Sequence, residues 1–376
     1  MRILVEHGEH QHRNRGDSAM LDAAVLGLRS QWPDARIDVL TGDADGLCRN
    51  VAGATPLVSL PRRRFRRQTA IDLASYDLVL AAGGGYLTDV DPDQARRVTR
   101  RLIDAADRGI PTAMVSQGIG PLDDRDLQRL VAEACGPALV IGLREGVNGP
   151  RILASLGVPA DRITVTGDDA IAVAMTHPPG EFGGGIGVNH RLASYMRAGA
   201  TEAETIGDAV RAVAAAHGVP LVPIPISEWD DDRQGTERIT RGCALLAHPG
   251  HPNEPYRWAV DQTDATRIVA TSTYHLAVFA LSRGVPALCL PASAYYRYKF
   301  NGLAALFGDG CRIVELDRGD AGARIATTLE ALWDAAPDLR DPLRAAARAQ
   351  ADRCASLYRT LHDRHAARTT PASPVG

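Results

Sequence analysis

The sequence lacks any apolar run of the roughly 18–20 residues that a membrane-spanning helix needs. Its first residues, MRILVEHG, also lack the long apolar segment of a signal peptide. We therefore expect a cytoplasmic protein without a transmembrane segment. Net charge is small as well, because the formal charge is −3 and both signs are spread evenly over the two halves of the chain. No global positive field would attract nucleic acid, so we expect no nucleic-acid partner.

Paired cysteines are absent and lysine nearly so. The six cysteines form no C-x-x-C pair, which excludes a zinc ribbon and a disulfide framework and predicts reduced thiols and no metal site. Among 42 basic residues only Lys299 is a lysine, and the rest are arginine. Either this lysine is retained by chance at an exposed site, or a function requires its compact ammonium group.

Short apolar runs alternate with amphipathic helical stretches along most of the chain, as in RIDVLTG (36–42) and TRIVATS (266–272). This alternation predicts an α/β fold with two Rossmann-like domains built on parallel sheets. Proline and glycine concentrate in THPPGEFGGGIG (176–187), and the alternation restarts after it. We therefore expect an N-terminal domain over residues 1–180, a C-terminal domain with terminal helices over 181–365, and a disordered tail over 366–376.

Polar and glycine-rich loops follow three predicted strands, at Asn14–Asp17, Gly83–Gly85 and Ser116–Pro121. Ligands bind beyond the carboxyl ends of parallel strands, where exposed N–H groups and helix dipoles favour an anion. Tight turns explain the same glycines equally well. Asp17 or Ser18 is the expected N-cap of the first helix. No segment matches G-x-G-x-x-G or a P-loop, so we expect no dinucleotide or ATP cofactor.

Seven segments, in their order along the chain, resemble the polysaccharide pyruvyl transferase family. They are NRGDSAML (14–21), LVLAAGGGYLTD (78–89), SQGIGPL (116–122), LREGVNGPRILASLGV (143–158), VTGDDA (165–170), TSTYHLAVFALSRGVPAL (271–288) and YRYKFNGLAALFG (296–308). The resemblance implies a glycosyltransferase-B-like arrangement with a central cleft between the two domains. It also implies transfer of the enolpyruvyl group of phosphoenolpyruvate to two hydroxyls of a sugar or lipid-linked glycan, which forms a pyruvate ketal and releases phosphate.

Phosphoenolpyruvate carries a carboxylate and a phosphate, so its site must offer several cations or N–H donors. The resemblance implies that Arg144, Arg191 and Lys299 bind this donor, since they lie where the family keeps basic residues. Arg144 has an alternative role as the partner of Glu145 or of a helix N-terminus. The residues expected to bind substrate are Asn14, Asp17, Gly84, Gly85, Gln117, Gly118, Arg144, Arg191, Ser272, Tyr296 and Lys299.

Ketal formation needs a base for the attacking hydroxyl and a proton donor for the methylene carbon, and histidine can serve either purpose near neutral pH. His275 follows the strand at 266–272, begins a helix, and matches the histidine of the family's Ser-x-Arg-x-His pattern. We predict that it is the catalytic residue and that the helix dipole keeps it neutral. A buried structural histidine is the alternative, and His190 is a second candidate.

The segment departs from the family pattern at Thr273, which stands where the family has arginine. A buried charge-assisted contact is worth about 1.5–3 kcal/mol, so a site without it must recover a cation elsewhere or bind another donor. Arg297 is a candidate for the missing cation. A family member repurposed to another donor or to a small-molecule acceptor is therefore the alternative function.

Three polar clusters remain, and two of them have alternative interpretations. The basic run Arg62–Arg67 is either a solvated loop or a peripheral contact with a lipid-linked acceptor or an anionic membrane. His10 and His12 are expected in an acceptor-binding loop, with metal binding as the alternative. His248 and His251 are interpreted as loop residues.

Two further functional classes stay open. A nucleotide-sugar glycosyltransferase would need an acidic residue near the ribose in the second domain, and the dense candidates are Glu228 and Asp230–Asp232. A non-catalytic binding protein with a decayed site is the other class, and the presence of both His275 and Lys299 argues against it. The sequence predicts no particular oligomeric state.

Overall fold

The computed structural model describes residues 1–8, 11–58, 71–176, 180, 183–192, 200–227, 230–246, 254–317 and 319–369. Helices flank two sheets of parallel strands, which confirms the predicted α/β fold with two Rossmann-like sheets. The first sheet has, in its described part, eight strands in the order β3-β2-β1-β4-β6-β7-β8, with β5 paired to β6. These are β1 (Arg2–Glu6), β2 (Arg36–Thr41), β3 (Thr55–Val58), β4 (Leu78–Ala81), β5 (Gly84–Leu87), β6 (Thr112–Ile119), β7 (Ile141–Leu143) and β8 (Ile163–Val165).

The second sheet has five strands among the described residues, in the order β10-β9-β11-β12-β13. They are β9 (Gly185–Asn189), β10 (Leu221–Pro223), β11 (Thr266–Thr271), β12 (Ala287–Cys289) and β13 (Cys311–Ile313). The last strand of the first sheet therefore ends at Val165 and the first strand of the second sheet begins at Gly185, on either side of the predicted boundary.

Helices connect the strands as crossovers. Those of the first half are α1 (Arg15–Gln31), α2 (Ala44–Asn50), α3 (Pro92–Asp107), α4 (Arg125–Cys135), α5 (Gly149–Ser155) and α6 (Ala170–Ala174). Those of the second half are α7 (Ala200–His217), α8 (Asp230–Thr240), α9 (Tyr256–Asp264), α10 (Tyr274–Arg283), α11 (Ala294–Phe307) and α12 (Ala321–Thr369).

Helix α1 begins earlier than predicted. The expected N-cap, Asp17 or Ser18, is wrong, because the side chain of Asn14 caps the helix by accepting hydrogen bonds from the N–H groups of Gly16 and Asp17. Asp17 thus lies in the first helical turn, where the helix dipole favours a carboxylate. Of the NRGD segment, Asn14 is thus the cap and residues 15–17 form the first turn of α1.

Helix α12 returns from the second half to the first. Leu357, Tyr358 and Leu361 pack in the same core cluster as Ile3 and Val5 of β1. The imidazole Nε2 of His365 also lies 3.1 Å from the backbone carbonyl of Asp77. The helix is held in this way nearly to its end, so residues 366–369 are helical instead of part of a disordered tail. Residues 370–376 lie outside the described residues.

The two halves share one apolar cluster around α1. Ala19 and Met20 of α1 and Ile171 of α6 belong to the same cluster as Tyr256 of α9 and Phe279 of α10. Polar contacts reinforce this junction, since the backbone N–H of Arg15 donates to the carbonyl of Ile226 at 2.9 Å. The junction brings the carboxyl ends of β1, β4 and β7 towards those of β9, β10 and β11, because the residues that follow these strands line one cavity.

Candidate active site

A cavity of about 380 Å³ lies between the residues that follow the strands of both sheets. The predicted site residues that line it are Asn14, Asp17, Gly84, Gly85, Arg144, Arg191, His275, Tyr296 and Lys299. These residues come from distant parts of the sequence. They meet because each follows the carboxyl end of a parallel strand, where ligand sites form. The shared cavity is the candidate active site.

Three predicted substrate contacts do not line the cavity. Gln117 is fully buried, and its amide donates to the backbone carbonyls of Ala81, Ala82 and Val115. Gly118 provides room, since a Cβ there would overlap the guanidinium of Arg144. The hydroxyl of Ser272 accepts a hydrogen bond of 3.0 Å from the backbone N–H of Arg191. These three residues lie behind the residues that line the cavity and support them.

His275 lies in the first turn of α10 and is 6% exposed, so one edge of its ring meets the cavity. The ring packs against the start of α1, where a Cβ on Gly16 would overlap it. Burial lowers the pKa of His275 well below its usual value, and the cations of Arg144, Lys299 and Arg191 lower it further. The imidazole is therefore neutral. Desolvation and nearby positive charges lower its pKa, whereas the sequence analysis had named only the helix dipole.

Arg144 follows β7 and is 2% exposed. Its guanidinium carbon lies 4.5 Å from the centre of the Tyr274 ring, and Nη1 lies 3.8 Å from Asp168 Oδ2. Glu145 is not its partner, because that carboxylate accepts the backbone N–H groups of Val147–Gly149 ahead of α5. Arg144 is therefore not the partner of Glu145, which the sequence analysis had kept as an alternative role.

Lys299 extends from α11 into a group of tyrosine rings. Its Nζ lies 4.4 Å, 5.0 Å and 5.5 Å from the ring centres of Tyr295, Tyr296 and Tyr274, and it donates to the Tyr295 hydroxyl at 3.2 Å. Burial and the charge of Arg144 lower the pKa of Lys299 well below its usual value, whereas the carboxylate of Asp17 raises it. An anion bound beside this partly buried, poorly hydrated amine would stabilise its charged ammonium form.

The second histidine candidate lies beside the site without lining it. His190 is fully buried, and neither ring nitrogen has a hydrogen-bond partner among the described residues. Burial lowers its pKa to about 4. Its neighbour Arg191 does line the cavity. Although the two residues are neighbours in the segment after β9, Arg191 therefore lines the cavity and His190 does not.

The sequence analysis did not single out Asp168, Tyr274 or Tyr295. Asp168 is buried behind the cavity, 3.8 Å from both Arg144 Nη1 and His275 Nε2. Tyr274 and Tyr295 line the cavity. The available signals were the two aspartates in the strand-end segment VTGDDA and the density of tyrosine in the segment around Lys299.

Other predicted clusters lie apart from the cavity or outside the described residues. The run Arg62–Arg67, His10, and the pair His248 and His251 lie outside the described residues. His12 is buried, with Nε2 3.0 Å from the Thr41 hydroxyl. In the described ranges no three His, Cys, Asp or Glu residues are grouped to hold a metal ion. No described helix is both long and apolar enough to cross a membrane.

Arg297 and the acidic run have other contacts. Arg297, the candidate for the missing cation, forms an ion pair of 3.0 Å with Glu315. Asp232 is fully buried and accepts hydrogen bonds from the N–H groups of Ile226 and Ser227 and from the side chain of Asn189. Glu228 lies outside the described residues, and Asp231 does not line the cavity.

Comparison with known proteins identifies a family. The model of the family described as polysaccharide pyruvyl transferase matches residues 14–293, which include the cavity residues from Asn14 to His275. No curated protein has a significant match to the sequence.

Solved structures of low identity share the fold. The UDP-GlcNAc 2-epimerase of Methanocaldococcus jannaschii is 10% identical, with a TM-score of 0.62 over 93% of this chain and 98% of that one. The calicheamicin glycosyltransferase CalG4 is 14% identical, with a TM-score of 0.56 over 99% of each chain. HepE of Anabaena, solved with UDP, is 13% identical, with a TM-score of 0.57 over 96% of this chain and 99% of that one. The fold is therefore that of glycosyltransferase-B proteins.

Proposed function

The chain belongs to the polysaccharide pyruvyl transferase family, and from this premise we propose that it transfers the enolpyruvyl group of phosphoenolpyruvate to two hydroxyls of a sugar or glycan precursor. The product is a cyclic pyruvate ketal, and phosphate is released. The observation that carries the proposal is the convergence of Arg144, Arg191 and Lys299 on one cavity that also contains the neutral imidazole of His275.

The three cations match the charges of the donor. Arg144 and Arg191 offer planar guanidinium groups that suit a carboxylate, and Lys299 offers a compact ammonium that suits a phosphate oxygen. Asp17 is a cavity carboxylate whose charge acts on both Lys299 and Arg144. Because this carboxylate offsets only part of the positive charge, an anionic donor is favoured at this end of the cavity.

His275 is the group suited to move protons in this reaction. As one hydroxyl of the acceptor adds to the substituted carbon of the enol, the methylene carbon gains a proton and becomes a methyl group. The carbon–oxygen bond to phosphate then breaks, and the second hydroxyl adds. Of the two hydroxyl protons, one ends on the methyl carbon and the other leaves with phosphate. A neutral imidazole can accept a hydroxyl proton and pass it on.

We propose that the acceptor lies against the cavity residues of the first half that carry no permanent positive charge. These are Tyr86, Thr88, Asp91 and Gln94, together with His7. These side chains offer a ring face, a hydroxyl, a carboxylate and an amide, and none of them is a permanent cation. Such a surface suits a neutral sugar, whose hydroxyls need both donors and acceptors.

Because Thr273 stands where the family has arginine, one cation of the family pattern is missing from this chain. Thr273 lines the cavity, and its hydroxyl lies 3.0 Å from that of Thr271. Arg144 reaches the same region over the Tyr274 ring, but it already occupies a basic position of its own in the family pattern, so the charge of the missing arginine is not replaced. Arg297 is a poor substitute because its partner is Glu315. A family member adapted to another donor or to a small-molecule acceptor is the alternative that this substitution supports.

A nucleotide-sugar glycosyltransferase has less support from the site. That function needs an acidic residue available to a ribose in the second half of the chain. Asp232 already accepts three hydrogen bonds from the protein, and neither Asp231 nor Asp232 lines the cavity. The likeness to proteins that bind UDP concerns the fold, at identities of 10–15%.

Ligand-induced thermal stabilisation tests the proposal. Phosphoenolpyruvate at about 100 times its dissociation constant should add about 2.7 kcal/mol to the free energy of unfolding, which raises the melting temperature. UDP-GlcNAc at the same concentration should not. Inorganic phosphate serves as the control for a general anion effect. Stabilisation by UDP-GlcNAc without stabilisation by phosphoenolpyruvate would contradict the proposal.

A further inference from the structure

A buried carboxylate faces the imidazole of His275 from the other half of the chain. Asp168 follows β8, and its side chain is fully buried. Oδ2 lies 3.8 Å from His275 Nε2 and 3.8 Å from Arg144 Nη1. Neither Oδ2 nor Nε2 has a hydrogen-bond partner among the described residues. Two unsatisfied buried polar atoms that face one another are unusual and call for an explanation.

The loop around Asp168 is held so that Oδ2 keeps this direction. Oδ1 accepts a hydrogen bond of 2.9 Å from the backbone N–H of Ala170. The next residue, Asp169, donates its backbone N–H to the Ser116 hydroxyl at 2.8 Å and accepts from the Tyr358 hydroxyl at 3.0 Å. The segment that follows Asp168 is therefore fixed, and Oδ2 remains available to His275.

The charges around His275 give Asp168 a distinct role. Arg144, Arg191 and Lys299 each disfavour the imidazolium. Asp168 is the one carboxylate in the described ranges at ion-pair distance from the ring. An imidazole that accepts a proton among three cations needs such a carboxylate to stabilise the charged ring, and a carboxylate on one nitrogen also selects the tautomer. Hydrogen bonds of this kind are often longer in free enzymes than in their complexes.

We propose that Asp168 is a positioning residue for His275: its carboxylate favours the tautomer with the proton on Nε2 and leaves the lone pair of Nδ1 to accept the proton of an acceptor hydroxyl. The inference rests on the proposed function for the use of that proton. The arrangement of the two side chains does not depend on it. When Nδ1 takes the hydroxyl proton, the ring becomes an imidazolium with its Nε2–H directed at Asp168.

Nitrogen NMR of the ¹⁵N-histidine-labelled protein tests the tautomer without any substrate. The signals that disappear in His275→Gln belong to His275. In the wild type they should show a neutral ring with the proton on Nε2, and Asp168→Asn should abolish that preference. Asp169→Asn is the matched control, since this neighbouring buried carboxylate contacts Tyr358 instead, and it should leave the signals unchanged. A wild-type ring with the proton on Nδ1 would overturn the proposal.

Kinetics test whether the pairing matters for turnover. Asp168→Asn keeps the Oδ1 acceptor for Ala170, so it should fold, and it should lower kcat by about 10- to 10³-fold without raising the KM for phosphoenolpyruvate. In a His275→Ala background the same change should cost nothing more, because Asp168 then has no imidazole to orient.

An equal loss in both backgrounds, or a raised KM with an unchanged kcat, would assign Asp168 to the loop or to Arg144 and would overturn the proposal. If the wild type does not turn over phosphoenolpyruvate at all, the proposed function fails, and the tautomer measurement still decides the relation between Asp168 and His275.

Discussion

Replacing Lys299 by methionine separates binding from folding at the cationic end of the cavity. Methionine keeps most of the length of the side chain and its contact with the rings of Tyr274, Tyr295 and Tyr296, and it removes the ammonium. The variant therefore removes one charge from a wall that Arg144 and Arg191 continue to line.

The size of the effect follows from the position of the ammonium. A hydrogen bond between charged groups contributes about 1.5–3 kcal/mol, which corresponds to a weakening of phosphoenolpyruvate binding by about 10- to 100-fold. Stability should not fall. The folded-state pKa of Lys299 is lowered, so the charged form opposes folding below that pKa, and this cost fades as the pH rises towards the unfolded value. Lys299→Met removes it.

Titration calorimetry with phosphoenolpyruvate at pH 7, together with thermal unfolding, measures both quantities. Arg297→Met is the matched control, because Arg297 lies on the same helix, pairs with Glu315 and does not line the cavity. It should leave donor affinity unchanged. An unchanged dissociation constant in Lys299→Met would refute the reasoning, and the lone lysine would then be an accident of composition.

Changes at four further positions give distinct outcomes. His275→Ala should lower turnover by about 10²–10⁴-fold with donor affinity by calorimetry nearly intact, and His275→Gln should not restore the rate, because an amide cannot accept and return a proton; retained turnover would make this histidine structural. Gly16→Ala should displace the His275 ring and lower turnover although it removes no polar group, and a crystal structure would show the ring moved. Thr273→Arg should tighten phosphoenolpyruvate in calorimetry, and a pocket adapted to another donor would instead be blocked. Burial, with the charge of the neighbouring carboxylate, raises the pKa of Asp169 to about 7. The contribution of Asp169 to the free energy of unfolding therefore falls as the pH rises from about 4 to 7, and Asp169→Asn should raise the melting temperature more at pH 8 than at pH 4.

The parallel sheets and much of the cavity were predictable because strand ends obey a simple geometric rule. Arg144, Arg191 and His275 each follow a strand of a parallel sheet, so their convergence follows from the order of strands and helices. Gln117 does not line the cavity because it lies within β6, and its side chain donates to backbone carbonyls instead.

Contacts between the two halves could not be predicted from local pattern. Asp168 looks like a turn residue in the sequence, and its relation to His275 exists only because α1 joins the two sheets. The same holds for Tyr274, since it lies on α10 and meets Lys299 of α11 through packing that no spacing encodes. The cap at Asn14 was missed because Asp17 and Ser18 offer equally good caps within the same segment.

The most direct test of the central claim is ³¹P NMR of phosphoenolpyruvate incubated with the protein and a pool of soluble and lipid-linked glycan precursors. The account predicts that inorganic phosphate appears only when acceptor is present, that a ketal methyl signal appears in proportion to it in the proton spectrum, and that both vanish with His275→Ala. Unchanged phosphoenolpyruvate across the whole pool, combined with turnover of a nucleotide sugar by the same protein, would contradict it.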